Sequence, residues 1–187
     1  WLVRYGVVPR LLTRAVVEGV LIPFMAQGMA GQNQQDDASL DPAVEPQLAD
    51  PPFPVNPAAS GAIDPAQLWE TLYRYTAEYS WVLEDERSGA LRFHPDVIDP
   101  MRRLLRKHEA EGRRILPELH LACARYYQQR AQSDANNRSQ WLREAVYHQL
   151  QGDPATADAL WLRLLHDADA ESAVALAEEA VRQPLFF

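Results

Sequence analysis

The sequence has a single cysteine, Cys123, among 187 residues, which excludes a disulfide within the chain. A lone thiol is typical of a reducing compartment, so a cytoplasmic location is expected. No apolar run approaches the roughly 20 residues that a membrane-spanning helix needs, and no membrane partner is predicted. The phosphate-binding pattern G-x-x-x-x-G-K-[ST] is also absent, so the chain alone is not expected to be an enzyme that hydrolyses a nucleotide.

The apolar N-terminal segment, residues 1–29, lacks the layout of a signal peptide. Charged residues at positions 4, 10, 14 and 18 interrupt its apolar pattern, and no small-residue cleavage site follows. The sequence begins at Trp1 in the middle of this pattern, so we expect it to be a piece of a longer protein.

The formal net charge of −8 argues against a chain that coats nucleic acid or an anionic membrane, because such attachment needs a basic surface. Residues 28–64 hold six acidic residues and six prolines but no Lys or Arg. This composition cannot bury enough apolar area to offset chain entropy, so we interpret 28–64 as a flexible acidic linker or insertion. A bound, extended peptide is the alternative, and docking would then occur through residues 51–55.

Residues 81–94 carry the most informative pattern in the chain. Trp81 and Leu83 alternate with Val82 and Glu84, and a second alternating run covers residues 91–93. A period of two on both sides of a turn predicts a β-hairpin, with Gly89 available for a positive φ in the loop. One hairpin among short helices is typical of a winged-helix domain, and its exit is occupied by His94.

Helical periodicity covers most of the remaining sequence. Apolar spacings of three and four predict a helix over residues 10–27, with Pro23 kinking its end. Asp64-Pro65 predicts a capped helix start, and that helix should run to about Tyr79. The buried face of this second helix is predicted to contain Leu68, Trp69, Leu72, Thr76 and Tyr79. Another helix follows the hairpin, with Asp99-Pro100 as its candidate start.

Beyond residue 111 the pattern is helical throughout. Gly152-Asp153-Pro154 predicts the end of one helix and the start of the next. The predicted helix faces contain Ile115, Leu119, Ala122, Cys123 and Tyr126; Trp141, Ala145 and His148; Ala157, Leu160, Trp161 and Leu164; and Ala173, Leu176, Ala177 and Ala180. Short helices with alanines at the crossings are typical of an α-solenoid, here a TPR-like repeat segment.

Three stretches together, residues 1–13, 91–97 and 143–150, resemble the signal-transduction NTPases called STAND proteins. In that family a P-loop ATPase domain precedes a winged-helix domain and helical repeats. The resemblance covers most of the chain except residues 28–64. It implies an upstream ATPase domain of the same protein, ADP or ATP as the cofactor of the full-length protein, and a protein or peptide partner on the repeats.

In STAND proteins a histidine at the end of the wing, within a Met-His-Asp pattern, faces the β-phosphate of ADP. The matching residues here are Phe93, His94 and Pro95, with Asp96 one place later than the family's acid. An imidazole N–H can donate to a phosphate oxygen, so the resemblance implies that His94 senses ADP. Proline at the acid's position puts the role of the acid in doubt. The alternative is that His94 closes the hairpin or caps the following helix.

DNA binding is a competing hypothesis, because winged helices often place a helix in the major groove. The only basic cluster in the sequence contains Arg102, Arg103, Arg106, Lys107, Arg113 and Arg114. A solvated helix face is the commoner meaning of such a run, and the acidic wing tip at residues 84–86 would repel a DNA backbone. The sequence therefore argues against DNA as a partner.

A metal site and a catalytic thiol were the remaining site hypotheses. His120 and Cys123 lie three apart on one helix, and His148 could approach from the next helix, but structural zinc needs four ligands. Cys123 lies on an apolar face between alanines, which favours packing over nucleophilic catalysis. No metal ligands and no catalytic residues are assigned. Aromatic residues at helical spacing are interpreted as packing between helices, and these are Tyr126, Tyr127, Trp141, Tyr147 and Trp161.

These patterns predict a mainly α-helical chain with a winged-helix domain over residues 1–110 and a helical-repeat segment over 111–187. The expected function is a non-catalytic regulatory and scaffolding module of a STAND-type signalling ATPase. The alternatives are a fragment of a winged-helix transcription regulator, or a stand-alone helical module that binds proteins.

Overall fold

The computed structural model describes residues 5–26, 64–85, 88–110, 114–167 and 169–182. The described part is mainly helical, with a two-stranded antiparallel hairpin and several packed helices. It divides into two compact units: Trp1–Gly6 with Leu11–His94, and Val7–Arg10 with Pro95–Phe187. The predicted linker, residues 28–64, lies outside the described residues except for Asp64. The predicted domain boundary at residue 110 stays a prediction.

The helix predicted over residues 10–27 begins later than predicted. Helix α1 covers Arg14–Val16 and continues as a π-helical turn over Val17–Leu21, followed by helical residues 22–26. Thr13 caps it, because its Oγ1 accepts from the Val16 N–H at 3.2 Å. The predicted start at residue 10 is wrong because Leu12 is extended and pairs with Leu91, through N···O distances of 2.9 and 2.8 Å.

The π-helical turn immediately precedes Pro23. The Ile22 N–H bonds to the Val17 carbonyl, a step of five residues rather than four. Pro23 has no N–H for the carbonyl of Gly19, so the α-helical ladder is interrupted at this point in any case. The widened turn is the observed irregularity of this helix, and a kink at Pro23 stays a prediction.

Helix α2 covers Pro65–Glu78 and confirms the predicted capped start. Asp64 Oδ1 accepts from the Ala66 N–H at 2.9 Å, and Pro65 occupies the first turn. Its predicted buried face is only partly correct, since Leu72 alone is fully buried and Tyr79 is exposed. Tyr75 contributes instead, packing its ring against those of Tyr79 and Trp81.

The predicted hairpin is confirmed as strands β1, Val82–Asp85, and β2, Ala90–Phe93. Gly89 has the expected positive φ of 62°. The hairpin buries one face of β1: Val82 is buried opposite Phe93, whereas Leu83 is 52% exposed opposite Arg92. Both positions 82 and 83 are apolar, so alternation alone could not assign the face.

Five further helices complete the described structure: α3, Pro95–Ala110; α4, Ile115–Ser133; α5, Arg138–Gly152; α6, Pro154–Asp167; and α7, Ala170–Arg182. Helix α3 begins at Pro95 and not at Asp99-Pro100, and Pro100 lies inside it. A proline with no usable N–H is well tolerated at a helix start, which explains why Pro95 can begin the helix. A 3₁₀ turn, Ala135–Asn137, joins α4 to α5.

Helices α4 and α5 form an antiparallel pair. Residues before the connecting turn contact residues at a similar distance after it: Tyr127 stacks on Trp141, His120 contacts His148, and Gly152 lies against Leu121. Helices α6 and α7 complete a core around Leu176, together with Ala131, Leu142 and Val146. The predicted break at Gly152-Asp153-Pro154 is confirmed, since α5 ends at Gly152 and α6 begins at Pro154.

Gly152 is required by the close approach of α4. A Cβ built there would lie 2.8 Å from Leu121 Cγ and 2.9 Å from the Pro117 carbonyl oxygen. We therefore expect Gly152→Ala to lower the free energy of unfolding by about 1–3 kcal/mol, as for other overpacked sites. Urea denaturation measures this change. Gln129→Ala, at an exposed position on α4, is the control, and an equal effect of both substitutions would contradict the packing interpretation.

Candidate functional site

The end of the hairpin places His94 directly after β2. Its backbone N–H donates to the Trp81 carbonyl oxygen at 2.8 Å, which extends the hairpin ladder by one step. Its side chain is exposed, whereas the preceding Phe93 is buried and stacks on the Trp81 ring at 6.1 Å. The backbone of His94 is thus fixed while its imidazole faces the surface. A nucleotide contact by His94 stays a prediction.

The second candidate site is a buried polar cluster in the helical unit, which we call the histidine cluster. It contains His120 and Tyr127 from α4, Glu144, Tyr147 and His148 from α5, Arg10 from the N-terminal segment, and Arg102 from α3. At its centre the Nδ1 atoms of His120 and His148 lie 2.9 Å apart, and both side chains are buried. The sequence analysis considered an approach of His148 to His120 only for a metal site, and the structure places the two rings in direct contact.

The distance between the two Nδ1 atoms means that one nitrogen donates a proton and the other accepts it. The Nε2 atom of His148 is buried and has no hydrogen-bond partner among the residues that the structure describes. An unpaired lone pair is cheaper to bury than an unpaired N–H, so we assign the donor role to His148 Nδ1. His120 then accepts at Nδ1, and both rings are neutral in this arrangement.

Burial and neighbouring cations lower the pKa of both imidazoles. Loss of solvation is the main cause for His120, with Arg102 and Arg106 adding to it, and it brings the pKa to about 3. For His148 the lowering of the pKa comes from complete burial, then from His120, Arg10 and Arg102. Neither ring therefore acts as a general base near neutral pH, because burial and the neighbouring arginines disfavour the protonated, positively charged imidazole.

An ion pair closes the cluster on one side. The guanidinium of Arg10 donates two hydrogen bonds to the Glu144 carboxylate, from Nε to Oε2 at 3.1 Å and from Nη2 to Oε1 at 2.8 Å. The same guanidinium lies 4.3 Å from the centre of the Tyr147 ring, a cation–π contact. Arg102 donates to the Tyr147 hydroxyl at 3.3 Å. Tyr147 is therefore held between two arginines.

Stacked rings continue from the histidines to the α4–α5 turn. His148 stacks on Tyr127 at 5.6 Å, and Tyr127 stacks on Trp141 at 6.0 Å. The Trp141 indole N–H donates to Asp134 at 3.0 Å, and Arg130 lies over the indole ring. The prediction that these aromatic residues pack between helices is confirmed for Tyr127, Trp141 and Tyr147.

Cys123 lies within the helical core as a free, fully buried thiol. Burial, with a smaller contribution from Glu144, raises its pKa, so the thiol stays protonated and protected. Within the described ranges, no group of three or more His, Cys, Asp or Glu side chains is placed to hold a metal ion. The structure thus brings His120 to His148 but does not assemble the three residues of the metal hypothesis.

The arginines of the predicted basic cluster differ in their exposure to solvent. Arg102 is half-buried against Tyr147, whereas Arg103, Arg106 and Arg114 are exposed. Arg113 and the side chain of Lys107 lie outside the described part. On the hairpin, Glu84 accepts from the Tyr73 hydroxyl at 2.7 Å.

Sequence reasoning missed Arg10, Glu144 and Tyr147 as members of one site. Arg10 and Glu144 are 134 positions apart, and no local pattern connects them. A carboxylate at position 144, one helical turn from both Trp141 and His148 of the predicted helix face, is the available sign of a buried ion pair. Such a charge is rarely buried unless it is paired.

No family model, curated protein or solved structure matches this chain. Among the helices that the structure describes, none combines the length and apolar character needed to span a membrane.

Proposed function

We propose that this chain is a non-catalytic regulatory and scaffolding part of a STAND-type signalling ATPase. The hairpin unit would respond to the nucleotide held by an upstream ATPase domain, and the helices would bind a protein or peptide partner. The observation that supports this most directly is the wing exit, where a fixed strand end presents an exposed His94 immediately before α3.

The chemistry of the histidine cluster supports a scaffolding role rather than catalysis. Its two histidines are buried and their pKa values are lowered, which favours their neutral forms, and the Cys123 thiol in the same helical core is also kept neutral. Neutral, enclosed groups rigidify a helical stack but offer no nucleophile or base to a substrate. The cluster therefore belongs to the architecture of the partner-binding helices in this proposal.

ADP or ATP would be held mainly by the ATPase domain of the longer protein. His94 would add one hydrogen bond from an imidazole N–H to a phosphate oxygen, and that bond would favour the ADP-bound resting state. One such bond to a charged oxygen is worth about 1.5–3 kcal/mol, enough to change nucleotide retention by a factor of about ten or more.

The test uses the longer protein with its ATPase domain, purified with bound nucleotide. We expect His94→Ala to release ADP about tenfold faster, because a charge-assisted hydrogen bond to the phosphate is lost. Chromatographic quantification of retained ADP over time measures this rate. His166→Ala removes another exposed histidine, on α6, and should leave ADP release unchanged.

Equal ADP retention in the wild-type, His94→Ala and His166→Ala proteins would remove the proposed role of His94. A stand-alone helical module would then be the better hypothesis, because the helical unit has its own core around Leu176. Tight, salt-sensitive binding of duplex DNA to this chain would instead support the transcription-regulator alternative.

A further inference from the structure

The helical unit contains a cleft of about 540 Å³ between α4, α5 and α6. Six of its lining residues carry the argument: Gln128 and Gln132 from α4, Arg138 and Leu142 from α5, and Arg163 and Leu164 from α6. Its volume lies within the range of sites that bind small ligands or a few peptide residues. The site described above does not include this cleft.

The cleft combines an apolar floor with a cationic rim. Leu142 is buried, and Leu164 packs against the same core cluster as Leu142. Within the described part of the chain, the lining residues include two arginines and no Asp or Glu. In a chain with a net charge of −8, this is a local excess of positive charge. The cleft is therefore complementary to an anionic ligand that also carries apolar groups.

Nearby carboxylates are engaged elsewhere. Asp134 accepts from Trp141 and Asn137, and these hydrogen bonds lower its pKa. Asp169 accepts from the Ser172 N–H at 2.7 Å, and its charge also interacts with Arg138. Arg163 is exposed and makes no ion pair with any other described residue. It is therefore the rim cation with the most capacity to receive a ligand carboxylate.

The two glutamines fit an extended peptide backbone. Gln128 and Gln132 are four residues apart on α4, so they lie on one face about 6 Å apart along the helix axis. Alternate residues of an extended chain repeat at about 6.6 Å, and each presents a peptide N–H and C=O on the same side. Two carboxamides at this spacing can hydrogen-bond to alternate peptide groups.

We infer that this cleft binds a short acidic segment of a partner protein in extended form. Carboxylates of the segment would pair with Arg163 and Arg138, and its alternate apolar side chains would contact Leu142 and Leu164. This inference rests on the proposed function only in that it names the chemistry of the partner expected on the helices. It involves neither His94 nor a nucleotide.

The probe is a fluorescein-labelled octapeptide of alternating Glu and Leu, titrated with this protein and followed by fluorescence anisotropy. We expect saturable binding that weakens between 50 and 300 mM NaCl, because exposed ion pairs are screened by salt. The same peptide with Gln in place of Glu should bind at least about tenfold more weakly, since it forms no charge-assisted bonds.

Arg163→Gln should weaken binding of the Glu–Leu peptide about tenfold, for the same reason. Arg125→Gln is the matched control, because it removes one exposed positive charge from α4 outside the cleft. It should change the Kd less than twofold. Circular dichroism of both variants checks that the helices remain folded.

Equal affinity for the Glu and Gln peptides would overturn the inference, as would equal affinity of the Arg163→Gln and Arg125→Gln variants. No binding at millimolar protein would also overturn it. Tighter binding of a single-stranded oligonucleotide, lost with Arg163→Gln, would replace the acidic segment by nucleic acid. Failure of peptide binding leaves the His94 experiment unaffected, so the two proposals fail separately.

Discussion

Lowering the pH from 7.5 to 5 is expected to reduce the free energy of unfolding by about 2 kcal/mol through His120 alone. The unfolded ring titrates near 6.5, whereas the folded ring has a pKa of about 3. Each pH unit between these values is worth about 1.4 kcal/mol, and about 1.5 units lie between 6.5 and 5. His148 changes the stability in the same direction.

The sign follows from where protons bind. Below about pH 6.5 the unfolded chain takes up a proton on His120 that the folded protein excludes, so acid favours unfolding. The stability is fully present above this pH and is lost progressively toward about pH 3. Arg10, Arg102 and Arg106 oppose protonation, and Glu144 does not remove the effect because it is already bound to Arg10.

Urea denaturation at pH 7.5 and pH 5, followed by circular dichroism, measures this loss. His120→Gln should lose about 2 kcal/mol less free energy of unfolding on acidification than the wild-type protein. The variant has no imidazole at position 120, so its unfolded state no longer gains the proton that stabilises it in acid. His166→Gln, at an exposed position, should keep the wild-type dependence. If His120→Gln and the wild-type protein lost the same stability at pH 5, the buried histidine pair would not be the cause.

The second large effect is expected in the hairpin, where Leu91→Ala should lower the free energy of unfolding by about 2–5 kcal/mol. Leu91 is fully buried on β2, and its backbone also pairs with Leu12. Removing its side chain leaves a cavity among apolar neighbours that can collapse only partly. Chemical denaturation followed by tryptophan fluorescence measures this loss of stability, because Trp81 lies beside β1 and its emission changes when the hairpin unfolds.

Leu83→Ala provides the comparison for this prediction within the same hairpin. Leu83 lies on the opposite face and is 52% exposed, so its truncation should change stability by no more than about 0.5 kcal/mol. A larger loss for Leu83→Ala than for Leu91→Ala would mean that the other face of the hairpin is buried and would contradict this prediction.

Local chemistry explains which parts of the fold could be predicted from the sequence. Capping aspartate, proline with its fixed φ, and glycine with its access to positive φ all act locally, and the helix starts and turns predicted at Asp64-Pro65, Gly89 and Gly152-Asp153-Pro154 are confirmed. Asp99-Pro100 has the same local pattern as Asp64-Pro65 but lies within α3. An earlier Xaa-Pro step at Pro95 had already begun that helix, and propensity alone cannot rank two such starts.

Long-range pairing explains what could not be predicted. The extended conformation of Leu12 depends on Leu91, and the position of Arg10 depends on Glu144. Neither partner lies within a helical or strand period of the other, so no window of sequence contains the information. For the histidine pair, the helix faces were predictable, but the 2.9 Å approach of two rings depends on how α4 packs on α5.

The segment Val7–Arg10 belongs to the helical unit, although Leu11–His94 separates it from the rest of that unit. During synthesis on the ribosome, this segment emerges early, and its partner Glu144 emerges only after the entire hairpin unit has been made. The helical unit therefore cannot finish folding in simple N-to-C order. A fragment starting at Pro95 would likewise carry Glu144 without its arginine, so neither unit corresponds to one uninterrupted piece of the gene.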